Sequence, residues 1–149
     1  MADEDVQQPL DERHLEDLRQ RVRESPFHQW AGMELVQVGD GRAQVVLSLG
    51  DHHFNPQGIV HGGMIAAVAD TAIGLAVRSM LAPGMTHRTA QLNVHFLAKG
   101  EGDRITAIGR SMHLGRRMGY GEAEVTDARG QLLARATAKF IVLPAPGAF

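Results

Sequence analysis

The chain has 149 residues, which suits one domain that buries about two-thirds of the surface its unfolded form exposes. Lys and Arg number 15 and Asp and Glu 17, so the formal charge is −2 and the basic stripe of a nucleic-acid binder is missing. Cysteine is absent, which excludes disulfides, thiolate nucleophiles and thiolate metal sites. Apolar residues make up 44%, normal for a globular chain and too many for a disordered one. The start, Met1-Ala2-Asp3-Glu4-Asp5, is acidic with no apolar run behind it, so no secretory signal and a cytoplasmic setting are expected.

Residues 1–10 are polar, end near Pro9 and read as a mobile arm; a single domain is expected over 11–149. From Asp11 to Glu24, Leu15, Leu18 and Val22 recur at helical spacing, which predicts a surface helix with one narrow apolar stripe. Ser25-Pro26 closes it, because a residue before proline avoids helical angles. Met33 to Val38 and Arg42 to Leu49 read as a hairpin about Gly39-Asp40-Gly41, with Ala43, Val45, Leu47 and Leu49 on one face. Asp51 to Gly58 is expected to be a loop.

His61 to about Met80 is apolar nearly all round, and such a helix must be covered all round. Asp70, Thr71 and three glycines argue against a membrane span, so a buried central helix is predicted. Four further strands are expected: Gln91 to Leu97, Arg104 to Arg110, Tyr120 to Thr126 and Gln131 to Leu143. An antiparallel sheet with one apolar face would use that helix as its cover. A sheet curled around one helix covers part of its circumference, and the remainder calls for another subunit.

Asn55-Pro56-Gln57-Gly58-Ile59-Val60-His61-Gly62-Gly63 runs straight into the central helix. Glycines there leave backbone N–H groups accessible at the positive end of the helix dipole, suited to a carbonyl oxygen gaining charge, or else simply allow tight packing. Asp70, a carboxylate in an apolar helix, is either functional or bonded to a neighbouring strand. His61 and Asp70 are nine positions apart, on opposite sides of one helix and roughly 13 Å apart along it, so they do not meet within a chain. Two such helices packed antiparallel about a two-fold axis would bring Asp70 of one to Gly62 of the other.

This pattern resembles the hot-dog fold thioesterases of the PaaI-like, phenylacetate-pathway type. The likeness runs from Pro26-Phe27 through Gly115-Arg116-Arg117 to the strand Ala136-Thr137-Ala138-Lys139-Phe140. It implies an α+β hot-dog fold, a curled antiparallel sheet wrapped around one long central helix, here with an extra N-terminal helix. It also implies hydrolysis of an acyl-CoA thioester to a carboxylate and coenzyme A. Gly62, with His61 beside it, would polarise the carbonyl, and Asn55 would orient the carbonyl or the water. Asp70 of a partner subunit would act as base or nucleophile, with the Thr89 hydroxyl near the water. Coenzyme A carries phosphates, and Arg116, Arg117 and Arg88 are the cations expected to meet them.

Coenzyme A is part of the substrate, so no separate cofactor is expected. His52, His53 and His61 lack metal-ligand spacing, and no metal is expected. The expected assembly is a dimer, paired into a homotetramer, with no nucleic-acid or membrane partner. Two other readings compete. A non-catalytic acyl-CoA sensor would have little use for Asp70. An enoyl-CoA hydratase would need a tight Asp-x-Asn-Pro-x-His arrangement, whereas Asp51, Asn55 and His61 are spaced too widely.

Overall fold

The computed structural model describes residues 10–146. The arm expected over residues 1–10 therefore lies, apart from Leu10, outside the described residues. The backbone N–H of Leu10 donates to the Ser79 carbonyl at 3.0 Å.

Helix α1 spans Glu12–Glu24, and the Asp11 side chain caps it by accepting from His14 N at 3.0 Å. Leu15 and Val22 are buried, and Leu15 packs into a small cluster with Val38, Ala43 and Ala76. A second helix, α2 (Pro26–Ala31), follows at once and was not expected from the sequence. Proline has two local effects: the residue before it leaves the helical region, while proline itself suits a first helical position. Pro26 therefore ends α1 and opens α2, and Gly32, at φ 76°, stops α2 in the left-handed region.

The strands are β1 (Met33–Gly39), β2 (Arg42–Ser48), β3 (Met85–Phe96), β4 (Arg104–Leu114), β5 (Met118–Asp127) and β6 (Leu132–Pro144). They form one antiparallel sheet in the order β1-β2-β4-β5-β6-β3, with helix α3 (Gly62–Arg78) between β2 and β3 in the chain. The alternation expected in β2 is present: Ala43, Val45 and Leu47 are buried on the face that meets α3, and Ile105, Ala107, Ala123, Val125, Ala134, Ala136, Ala138 and Phe140 are buried there with them. The hot-dog arrangement expected from the sequence is thus the observed fold. Strands β3, β4 and β5 are longer than their apolar cores. Thr86, Arg88, Ser111 and His113 carry no alternating apolar signal, and only ladder pairing extends the strands through them. The loop after β2 contains a short 3-10 turn, Asp51–His53, with His53 buried.

Two glycines set how closely the sheet holds α3. A Cβ on Gly109 would lie 2.3 Å from the Ala72 carbonyl oxygen, and one on Gly121 would lie 2.5 Å from Ile73 Cγ2. At Gly109 the strand therefore touches the helix backbone itself.

At the other flank of α3, His87 on β3 donates from Nε2 to the Gly74 carbonyl at 2.8 Å and packs edge-on to Phe140. Burial, and to a lesser degree the charge of Arg78, lower its pKa from 6.5 to about 4, against a smaller raising effect of the Gly74 bond. The folded chain thus holds His87 neutral where the unfolded chain would protonate it.

Two outcomes follow. Gly109→Ala forces helix and sheet apart and should cost about 3 kcal/mol or more, read as a lower urea midpoint at unchanged slope. Between pH 6.5 and about 4 the unfolded chain binds the proton that folded His87 refuses. Stability should therefore be complete above that window and fall by up to about 3 kcal/mol as pH drops through it. Urea unfolding across the window should show that slope, and His87→Leu should flatten it.

Candidate active site

The loop into α3 is built by its own polar groups. Asn55 Oδ1 accepts from Gln57 N at 2.9 Å and Ile59 N at 3.3 Å, and Asn55 N donates to the Ile59 carbonyl. Asn55 thus holds the turn, and it does so with the side-chain oxygen alone. No partner among the described residues takes the amide nitrogen. His61 N donates to the buried His53 carbonyl at 2.8 Å, which ties the loop to the 3-10 turn.

His61 is the N-cap of α3. Its ring Nδ1 accepts from Gly63 N at 2.8 Å, and its carbonyl accepts from Met64 N at 2.9 Å. The expectation that both glycine N–H groups lie open is corrected here, because the His61 ring takes that of Gly63. The Gly62 N–H has no partner among the described residues. Beside it is a cavity of about 390 Å³ lined by Asn55, Ile59, Ile65, Phe96 and Leu97, with Lys99 also on its wall. The Phe96 ring lies over Gly62, since a Cβ there would be 3.3 Å from two ring carbons.

Asp70 sits half-buried in the middle of α3, and Thr89 Oγ1 donates to its Oδ1 at 2.9 Å. A bulge at Ala90 makes this bond possible. The register of β3 on β6 shifts between Thr89 and Gln91, so Thr89 pairs with Phe140 and Leu92 with Ala138, both on the inner face. In an unbroken alternation Thr89 would share a face with Gln91 and Asn93, away from the helix. Burial raises the Asp70 pKa above the usual carboxylate value, and the Thr89 hydrogen bond partly offsets this.

The structure therefore brings Asn55, His61 and Gly62 together at one end of α3, and Asp70 with Thr89 at its middle. It does not join the two groups within one chain: Gly62 and Asp70 are eight residues apart on one helix, roughly 12 Å along its axis. Gly63, Ala66, Ala67, Asp70 and Thr71 are only partly covered or exposed, whereas Met64, Ile65, Val68, Ala69, Ala72 and Ile73 are buried by the sheet. Both groups lie along this stripe of small residues.

Arg116 and Arg117 are exposed in the turn between β4 and β5, where the Arg117 carbonyl accepts from Val142 N at 2.8 Å. Arg88 pairs with Ile141, whose other neighbour is Met118, so Arg88 lies on the outer face at the same end of the sheet. His52 and His53, like His61, are engaged with backbone groups: His52 Nε2 with the Trp30 carbonyl, and His53 Nδ1 with Gly50 N. No cluster of three or more His, Asp or Glu side chains fit to hold a metal occurs among the described residues. None of the described helices is long and apolar enough to cross a membrane.

Residues 57–134 match the family model described as Thioesterase superfamily. Medium/long-chain acyl-CoA thioesterase YigI of Escherichia coli K12 is 30% identical over 139 residues, covering 81% of this chain and 88% of that protein. The 1,4-dihydroxy-2-naphthoyl-CoA hydrolase of Listeria monocytogenes is 28% identical over 102 residues, covering 68% of this chain and 83% of that one. Among solved structures, the E. coli PaaI protein of the phenylacetic acid degradation operon superposes with a TM-score of 0.78 at 21% identity, over 90% of this chain and 94% of that one. The chain belongs to the thioesterase superfamily. It is a PaaI-like hot-dog thioester hydrolase.

One site feature was not read from the sequence. Phe96 alternates in phase with Leu92 and Val94, but nothing local indicates that it would cover Gly62. The capping role of His61 had a signal, since a side-chain acceptor directly before a helix start is an N-cap position.

Thr89→Val removes the bond that favours ionised Asp70, so the Asp70 pKa should rise further. The acid limb of the pH–rate profile for thioester hydrolysis should then move to higher pH, while Thr89→Ser should keep it near wild type. An unmoved limb in Thr89→Val would separate Thr89 from the reaction.

Proposed function

We propose that the protein hydrolyses an acyl-CoA thioester to a carboxylate and free coenzyme A, at two sites per dimer. Each site combines Asn55, His61 and Gly62 of one protomer with Asp70 and Thr89 of the partner subunit. The single observation that carries this reading is Asp70 itself: a half-buried carboxylate with a raised pKa, held by Thr89 on the uncovered stripe of a helix whose Gly62 N–H is also unpartnered. Burying such a group costs several kcal/mol unless it is used or compensated. A second α3 packed antiparallel on the stripe would cover the small residues and bring Asp70 to Gly62. Strand β3, at the sheet's edge, would then lie beside its counterpart.

In this arrangement the thioester carbonyl accepts from the Gly62 N–H, with Asn55 orienting the carbonyl or the water. Asp70 takes a proton from water as the water oxygen bonds to the carbonyl carbon, and the negative charge develops on the oxygen at Gly62. Collapse breaks the carbon–sulfur bond, and the thiolate leaves with the proton returned. Direct attack by Asp70, followed by hydrolysis of the mixed anhydride, gives the same products. Single turnover in oxygen-labelled water detects the second route where water opens the anhydride at the Asp70 carboxyl carbon, because only then does label enter Asp70.

The cavity beside Gly62 is lined by Ile59, Ile65, Phe96 and Leu97 and favours an apolar acyl group, aryl or aliphatic. Arg88, Arg116 and Arg117 supply cations for the coenzyme A phosphates. Met112, Met118, Tyr120 and Ile141 are exposed on one end of the sheet and support the pairing of dimers into a tetramer.

The test is release of free thiol from a panel of aryl and aliphatic acyl-CoAs. Asp70→Asn should lower kcat by about a hundredfold or more while leaving the circular dichroism spectrum and acyl-CoA binding in place. Wild-type kcat in that variant would remove Asp70 from the mechanism. Tight binding with no thiol release from any substrate would point to a sensor.

A further inference from the structure

A larger cavity, about 440 Å³, lies away from Gly62 and Asp70, between α1, the last turn of α3 and the start of β3. Its polar lining is Arg13, His14, Asp17, Arg21, Arg78 and Thr86, so three guanidiniums face it against the one carboxylate of Asp17. His14 is itself tied to Asp11, with Nδ1 2.6 Å from the carboxylate oxygen.

Arg78 is the unusual member. Its Nη1 is buried and has no hydrogen-bond partner among the described residues. Burial lowers the pKa of this arginine, and the charge of Arg21 lowers it further. A half-buried guanidinium facing another guanidinium is unfavourable by itself, and it becomes favourable once an anion accepts from both. His87, close enough for the Arg78 charge to lower its pKa, is held neutral and brings no negative charge. The Leu10–Ser79 hydrogen bond fixes the chain at the rim. Arginine forks are suited to tetrahedral oxyanions, whose several oxygens accept two guanidiniums at once.

We propose that this cavity is an anion site for phosphate or a phosphate-bearing ligand, bound between Arg78, Arg21 and Arg13. The phosphate has two possible sources: the nucleotide end of coenzyme A, or free phosphate acting independently of the substrate. The site is distinct from the Arg88, Arg116 and Arg117 group, and its existence does not depend on the hydrolytic reading.

The experiment is thermal denaturation and calorimetric titration of the full chain with two probes, inorganic phosphate and the adenosine bisphosphate that forms the nucleotide end of coenzyme A. At least one probe should raise the Tm, and Arg78→Gln should weaken its binding by about tenfold or more. Arg13→Gln, at an exposed position on α1, should weaken it too and covers the case in which Arg78→Gln does not fold. Tighter binding of adenosine bisphosphate than of phosphate identifies the substrate's nucleotide as the source, and equal binding identifies free phosphate. Asp70→Asn should bind as wild type, so failure of the hydrolytic reading and failure of this one are seen separately. Absence of any Tm rise with both probes, or a rise that survives Arg78→Gln and Arg13→Gln, overturns the proposal.

Discussion

The architecture depends on how closely the sheet can approach α3. At Gly109 the strand meets the helix main chain with no side chain between them, and at Gly121 it leaves room for the Ile73 side chain. Protein interiors pack at crystal-like density, so removing two side chains there pulls the helix into the concave face and lets the neighbouring strands curl around it. Alanine dominates the positions that follow, at Ala107, Ala123, Ala134, Ala136 and Ala138, all buried. Larger groups such as Phe140 and Leu133 are fully buried beside them. Hydrophobic burial drives the fold, but the small residues decide how deep the helix sits.

That depth creates the site. A helix seated in a curled sheet is covered on one side, and the residues left uncovered on α3 are small ones with Asp70 among them. The same helix presents a glycine N–H at its first turn, where His61 caps the next amide and leaves Gly62 unsatisfied. One element thus carries both the N–H donor and the carboxylate that the proposed reaction would use, too far apart to act together in one chain. Their separation makes association of two chains a chemical requirement of the proposed reaction as well as a packing one.

Much of the fold was legible because its signals are periodic. Alternation in β2, β5 and β6 marked the buried face residue by residue, and the unbroken apolar run after His61 marked a helix that had to be surrounded. Helix α2 was missed because Pro26 was read only as a terminator. The ends of β3, β4 and β5 were missed because edge and outer-face residues such as Arg88 and His113 follow no alternation. For the site, Gly62 and Asp70 stood out by residue type against their surroundings, while the roles of Asn55 and His61 came with the family resemblance. Arg78 and His87 did not, since a single Arg or His at a helix end or in a strand is ordinary until its burial is known.

The sequence by itself determined the class of fold, the central helix and the chemistry available along it, because hydrophobic period, glycine placement and one misplaced charge are local properties. The tertiary structure alone decided which hydroxyl reaches Asp70. A one-residue bulge at Ala90 reverses the side-chain phase of β3 and turns Thr89 toward the helix, and a bulge is set by pairing with β6. It alone decided, too, that His61 would leave Gly62 open by capping Gly63, and that Arg78 would be buried against another arginine. Each of these rests on contacts between residues far apart in the chain or on a backbone angle, neither of which composition or spacing records.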